Sequence, residues 1–147
     1  ALGRIIRSHR VWSFLDLGTG SGILELAAAR MGIKHVLAVD RNHLATHVAR
    51  KNVEANSLSA VVRIEEGEAR LFVDRPFEVV AANLPFTVLR DLITRGGVNI
   101  HKFWIVSGIN AEQGHVLKEL FLEQRYEIFS EVADHPWVTF TVVKRAS

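Results

Sequence analysis

Ser13-Phe14-Leu15-Asp16-Leu17-Gly18-Thr19-Gly20-Ser21-Gly22-Ile23-Leu24 runs from apolar residues into three glycines at alternate positions, then back into apolar residues. The first half reads as a strand buried on both faces, and the second half as the start of a helix. Glycines between the two let the backbone turn sharply and approach a ligand closely. A second strand-like run, His35 to Val39, ends on Asp40, about 20 residues after the loop, where an acid accepts hydrogen bonds from ribose hydroxyls. The competing reading of Asp40 is the N-cap of the helix that follows. The stretch predicts an α/β sheet that holds a nucleoside at the end of its first strand.

Outward from the loop, strand and helix signals alternate. Trp12–Leu17 predicts the first strand, and Ile23–Met31, stopped by Gly32, the first helix. A helix is expected from Asn42 to about Asn56-Ser57, strands over Val61–Ile64 and Phe77–Ala82, and a helix over Thr87–Thr94 closed by Gly96-Gly97. Phe103–Val106 predicts a fifth strand and Ala111–Gln124 an amphipathic helix. The end differs in kind. Tyr126–Val132 and Trp137–Lys144 are both strand-like and only Ala133-Asp134-His135-Pro136 separates them, which forces an antiparallel hairpin. The predicted fold is α/β and Rossmann-like, a seven-stranded, mostly parallel sheet of order 3-2-1-4-5-7-6 ending in that hairpin.

The chain has 147 residues, 48% hydrophobic and 23% charged, which predicts one domain over residues 1–147 with room for a two-sided core. Its net charge of +2 permits a nucleic-acid partner without arguing for one, and the densest basic group, Arg4, Arg7 and Arg10, lies at an end expected to fray. Absence of cysteine excludes a disulfide framework, a thiolate nucleophile and a Cys-ligated metal. No apolar run reaches the ~20 residues of a membrane span, so no membrane partner and a cytoplasmic location are expected. The chain starts without Met a dozen residues before the first strand, which leads us to expect a trimmed domain.

The glycine turn admits three readings. A phosphate-cradling P-loop needs Gly-Lys-Ser/Thr, and Gly22 is followed by Ile23-Leu24. A dinucleotide fingerprint wants a small residue where Ile23 stands. The third is D-x-G-x-G-x-G. Its Asp16 suits a cationic amino-acid tail and would repel a pyrophosphate, unless it serves only to order the turn. That combination points to S-adenosyl-L-methionine, with S-adenosyl-L-homocysteine as product. The expected cofactor-binding residues are Asp16, Gly18, Thr19, Gly20, Gly22, Asp40, Arg41, Glu68, Ala69 and Asn83. Within Glu65-Glu66-Gly67-Glu68-Ala69, Glu68 is chosen as acceptor for an adenine amine, against the alternative of a solvated acidic turn.

Asn83-Leu84-Pro85-Phe86, at the expected end of the fourth strand, is the candidate catalytic group. In an open α/β sheet this position faces a ligand held beyond the first strand. The Asn83 side-chain carbonyl and the Leu84 backbone carbonyl can accept from an attacking amine, Pro85 fixes the turn, and Phe86 covers a flat or cationic group. A Pro-containing turn filled by a phenylalanine is the structural alternative. Methyl transfer needs alignment and stabilised charge rather than a strong base. His43 and His47 have i, i+4 metal spacing, but no third ligand accompanies them and no metal site is predicted. Trp104, Trp137 and Phe103 read as sheet core or rim, and Ser107-Gly108-Ile109 as a turn or a substrate mouth.

Taken together, Asp16-Leu-Gly-Thr-Gly-Ser-Gly-Ile-Leu, Asp40, Lys51-Asn52-Val53-Glu54-Ala55-Asn56, Val79–Leu84, Ser107-Gly108-Ile109 and Trp137–Arg145 resemble the catalytic domain of ribosomal protein L11 methyltransferases. The resemblance spans roughly Phe14 to Arg145 and implies a class I S-adenosylmethionine-dependent methyltransferase. The family methylates lysine side chains and the N-terminal amine of a ribosomal protein, so a protein substrate is expected. Two departures stand out. The family's N-terminal recruiting domain and the Gly-Thr-Gly-His-type segment before the first strand are missing, and Pro85-Phe86 replaces a small aliphatic pair. Asn-Leu-Pro-Phe resembles the tetrad of enzymes that methylate exocyclic amines in RNA or DNA, or glutamine amides. A nucleobase methyltransferase and a non-catalytic cofactor-binding subunit are therefore the alternatives.

Overall fold

The computed structural model describes residues 1–20, 22–95 and 97–147; Ser21 of the glycine loop and Gly96 of the expected helix stop lie outside it. Its strands are β1 (Ser13–Leu17), β2 (His35–Asp40), β3 (Val62–Glu66), β4 (Val79–Asn83), β5 (Phe103–Asn110), β6 (Tyr126–Asp134) and β7 (Trp137–Lys144). Helices α1 (Leu2–Ser8), α2 (Ile23–Arg30), α3 (His43–Ala55), α4 (Phe86–Thr94) and α5 (Ala111–Glu123) intervene. All seven strands form one sheet of order β3-β2-β1-β4-β5-β7-β6, in which β3, β2, β1, β4 and β5 run parallel and β7 pairs antiparallel with both neighbours. That is the order and the single reversed strand read from the sequence.

The two-residue period of the strands sorts their side chains into two cores. Leu15, Leu17, Val80, Ala82, Trp104 and Val106 pack on one side with Leu89, Leu92 and Ile93 of α4 and Leu117 and Phe121 of α5. Phe14, Ala38, Ala81 and Phe103 pack on the other with Ala28 of α2 and Ala49 and Val53 of α3. Because both faces are covered, the central strands are near-continuous apolar runs.

Four boundaries differ from expectation. Trp12 is about half exposed and outside β1. Residues 2–8, expected to fray, form a helix whose Leu2 and Ile5 are buried against Phe14. Seven residues give two core-facing positions, too few for a period to show. Ser107-Gly108-Ile109 is neither turn nor loop: β5 continues to Asn110, with a register shift between Val106 and Ile109. Gly108, at φ 78°, supplies the extra residue of a bulge, which from sequence reads as punctuation. In the hairpin, β6 runs on to Asp134, so only His135 and Pro136 make the turn.

Under the β4–β5 crossover lies a polar knot. Fully buried His101 sets its ring nitrogens against the carbonyls of Phe77 (2.8 Å) and Val73 (2.6 Å), and the buried Tyr126 hydroxyl donates to the carbonyls of Val98 and His101. Tyr126→Phe takes the hydroxyl donor from the His101 carbonyl, while the Val98 carbonyl keeps Trp104 Nε1 and the His101 amide, and lowers stability by about 1–3 kcal/mol, read as a shifted midpoint at constant slope in urea unfolding.

Candidate functional site

Neighbouring strands β1 and β4 send their chains in opposite directions, β1 towards β2 and β4 towards β5, so the loops beyond their C-terminal ends part. The gap is a cleft of about 830 Å³, within the ~300–1,000 Å³ of small-ligand sites. Gly18 and Gly20 border it from β1, Asp40 and Arg41 from β2, and Gly67–Arg70 from the segment after β3. Asn83, Leu84 and Pro85 form the facing wall, extended by α4.

The glycine loop is built by its backbone. Gly18, Gly20 and Gly22 have φ of 85°, 56° and 85°. The amides of Gly18 and Thr19 donate to the Val39 carbonyl at 2.8 and 3.1 Å, tying the loop to the end of β2. A Cβ on Gly18 would stand 2.9 Å from Leu84 Cδ2 and 3.0 Å from the Asn83 carbonyl, so only glycine lets loop and tetrad meet. Asp40 is doubly held: its Oδ2 accepts from the Gly20 amide (3.2 Å) and its Oδ1 from the Asn42 amide (2.9 Å). Asp40 is not the cap of α3. That role belongs to Asn42, whose Oδ1 accepts from the amides of Leu44 and Ala45.

Across the cleft, Asn83 closes β4 paired with Ser107 of β5. A Cβ on Gly108 would fall 2.1 Å from Asn83 Oδ1, so the β5 bulge makes the space in which the Asn83 amide lies. Pro85 is the N-cap of α4, and its carbonyl accepts from the amides of Val88 and Leu89, both at 3.0 Å.

Nine of the predicted residues border the cleft: Gly18, Gly20, Asp40, Arg41, Glu68, Ala69, Asn83, Leu84 and Pro85. Asp16, Thr19 and Gly22 are buried beneath the loop, and Phe86 turns towards the α4–α5 core with the Arg90 guanidinium 5.6 Å from its ring centroid. Glu68 is paired with Arg70 at 2.7 Å, and that guanidinium holds its carboxyl below the usual range. His43 and His47 are exposed, and His43 lies 3.3 Å from Glu66. Among the described residues no group of three or more His, Asp or Glu could hold a metal ion, and no helix is long and apolar enough to cross a membrane.

Sequence reasoning missed two features. The first is the cleft face of α4, Thr87, Asp91 and Thr94, whose i, i+4, i+7 spacing is a legible polar stripe directly after the tetrad. The second is Glu25, fully buried in the first turn of α2, with Thr19 Oγ1 donating to its Oε1. A single acid in Ile-Leu-Glu-Leu-Ala-Ala-Ala, nine residues after Asp16, was the available signal. Burial first, then the Glu25 carboxyl bonded to it, then the charge of Asp40, push the Asp16 carboxyl well above the usual carboxylate range.

The sequence matches the family model described as ribosomal protein L11 methyltransferase (PrmA) over residues 1–145. The ribosomal protein L11 methyltransferase of Staphylococcus saprophyticus subsp. saprophyticus is 31% identical over 128 residues, 86% of this chain and 41% of that protein. The chain thus spans about two-fifths of the length of the curated relatives it matches. The structure of ribosomal protein L11 methylase from Lactobacillus delbrueckii subsp. bulgaricus superposes with a TM-score of 0.85 at 26% identity, covering 99% of this chain and 76% of that one. M. capricolum TrmK, solved with S-adenosyl-homocysteine, shares the fold with a TM-score of 0.79 at 16% identity, covering 97% and 67%.

Asp16→Asn tests the cost of the buried acid. A carboxyl whose pKa is raised by folding stabilises fully below its unfolded pKa and loses that contribution as pH rises through the folded value. Asparagine removes the penalty and can still donate to Glu25. Its melting temperature is expected above wild type at about pH 8, with the gain shrinking to nothing near about pH 4, as measured by calorimetry across that range.

Proposed function

Since the chain belongs to the ribosomal protein L11 methyltransferase family, we propose that it transfers a methyl group from S-adenosyl-L-methionine to a protein amine or amide, releasing S-adenosyl-L-homocysteine. The observation that carries this reading is the buried Asp16–Glu25 pair under a glycine loop that borders an open cleft. Two acids there are hostile to a pyrophosphate and suited to a cationic amino-acid tail. The cleft volume and the Asp40 carboxylate at its edge agree with an adenosine on the same ligand.

In this reading Asp40 accepts from the ribose, Glu68 and Ala69 meet the adenine edge, and Gly18, Gly20 and Asn83 face the methionine portion. The cofactor supplies an activated methyl on a sulfonium. The chain's own work is placement: the Asn83 amide oxygen and the Leu84 carbonyl accept hydrogen bonds from the incoming nitrogen and stabilise the charge that grows on it. Pro85 holds that wall in position as the cap of α4. The relatives' names favour a ribosomal protein as the substrate class, and a cytoplasmic location goes with that reading. The Asn83-Leu84-Pro85-Phe86 tetrad favours a second reading, transfer to a nucleobase exocyclic amine.

Calorimetric titration with S-adenosyl-L-methionine is expected to show one site, and absence of binding by the folded chain overturns both readings. Tritiated methyl transfer to a ribosome-rich lysate should leave label that ribonuclease spares and protease removes. The reverse pattern selects the nucleobase, and binding with no transfer to any fraction supports a non-catalytic subunit. Asn83→Ala is expected to lower turnover by about 10²–10³-fold with a much smaller loss of cofactor affinity. Gly108→Ala, which places a methyl on the Asn83 amide from a strand that never touches the cleft, is expected to lower turnover in the same sense.

A further inference from the structure

The acids beneath the loop raise an accounting question that methyl transfer leaves open. Glu25 is fully buried, and among the described residues its Oε2 has no hydrogen-bond partner although its Oε1 accepts from Thr19. Buried polar atoms are rarely left so, and a buried carboxylate oxygen least of all. Asp16, 3% exposed, is the acid beside it, and the Glu25 carboxyl is among the causes that hold the Asp16 carboxyl up. Two carboxylates meeting out of water cannot both stay ionised, and one hydrogen between them satisfies the orphan oxygen and removes the repulsion.

Among the described residues no cation pairs with either acid. Asp16 is flanked in the sheet by Ala38 of β2 and Ala81 of β4. Asp40, at the end of β2, adds a further negative charge. Helix α3 packs against the loop with Ala49, 3.2 Å from the position of a Gly22 Cβ, and its charged residues and histidines, His43, His47, Arg50, Lys51 and Glu54, are exposed. The N-terminus of α2 favours one negative charge at Glu25, not two.

We propose that Glu25 is a positioning residue for the cationic tail of the cofactor: it shares one proton with Asp16 in the free protein, and the pair releases that proton to solvent when the tail's ammonium arrives. The ammonium then takes over the neutralising role of the proton, with no other bond made or broken. Neither acid lines the cleft, so both act through the loop above them, Glu25 by way of Thr19. Cofactor uptake and proton release are thereby one event, and affinity rises with pH. This inference rests on the methyl-donor reading of the cleft.

The test is calorimetry of the folded chain with S-adenosyl-L-methionine between about pH 6 and 7, where the α-amino group of the ligand is already cationic, in buffers of different ionisation enthalpy. Wild type is expected to release up to one proton per cofactor, with affinity rising by up to about tenfold per pH unit. Glu25→Gln leaves Asp16 without an acidic partner while burial still holds its carboxyl up, so its proton release and its pH slope should both fall measurably below those of wild type. A purely structural Glu25 would move affinity without moving the proton count. Wild-type binding with a buffer-independent enthalpy and a flat pH profile overturns this inference alone. Failure of wild type to bind overturns the methyl-donor reading as well. Should Glu25→Gln fail to fold, the wild-type proton count still decides.

Discussion

The parallel pairing of β1 with β4 is the contact on which the site depends. Leu15 opposite Val80 and Leu17 opposite Ala82 lock the two strands in register at the middle of the sheet. The strands continue to opposite sides, so their loops diverge from a fixed common origin. The cleft is the space between those loops. Where the two walls meet, a Cβ on Gly18 would stand 3.0 Å from the Asn83 carbonyl, and Gly18 follows, as Asn83 ends, a strand buried on both faces. A ligand there meets groups fixed by the core rather than by flexible loops.

Much of this was legible in the sequence because it rests on local rules. A period of two, interrupted by runs of period 3.6, marks β and α in turn, and a four-residue gap between two strand-like runs dictates an antiparallel hairpin. That the glycine loop, Asp40, Glu68, Asn83, Leu84 and Pro85 meet at one cleft could be anticipated because strand ends are where an open α/β sheet places polar residues without burying them, whereas Phe86 turns to the core instead. What escaped depends on contacts distant in sequence. Gly108 looks like a turn until β7 is seen running alongside it, and then it is the bulge that admits Asn83. Glu25 looks like an ordinary helix-start acid until Thr19 and Asp16 are seen closing over it. Helix α1 is recognisable only through its seat against Phe14.

The same loop shows the balance between stability and fitness for binding. A folded chain gains nothing from placing Asp16 and Glu25 together out of water, and apolar residues of similar volume there would cost less. Their presence is a local conflict with the general rule that buried charge is matched, and such conflicts concentrate where ligands bind. The surrounding strands, apolar and fully paired, carry the penalty.

The bulge in β5 also separates two kinds of support. Because the Asn83 amide is seated by Gly108 and by the β4–β5 ladder, its position is a property of the sheet. Leu84, Pro85 and the first turn of α4 lie beyond the last ladder pair and contribute the remaining surface of that wall. The architecture thus divides one wall between two supports: the sheet seats the Asn83 amide, and the first turn of α4 sets the surface beside it.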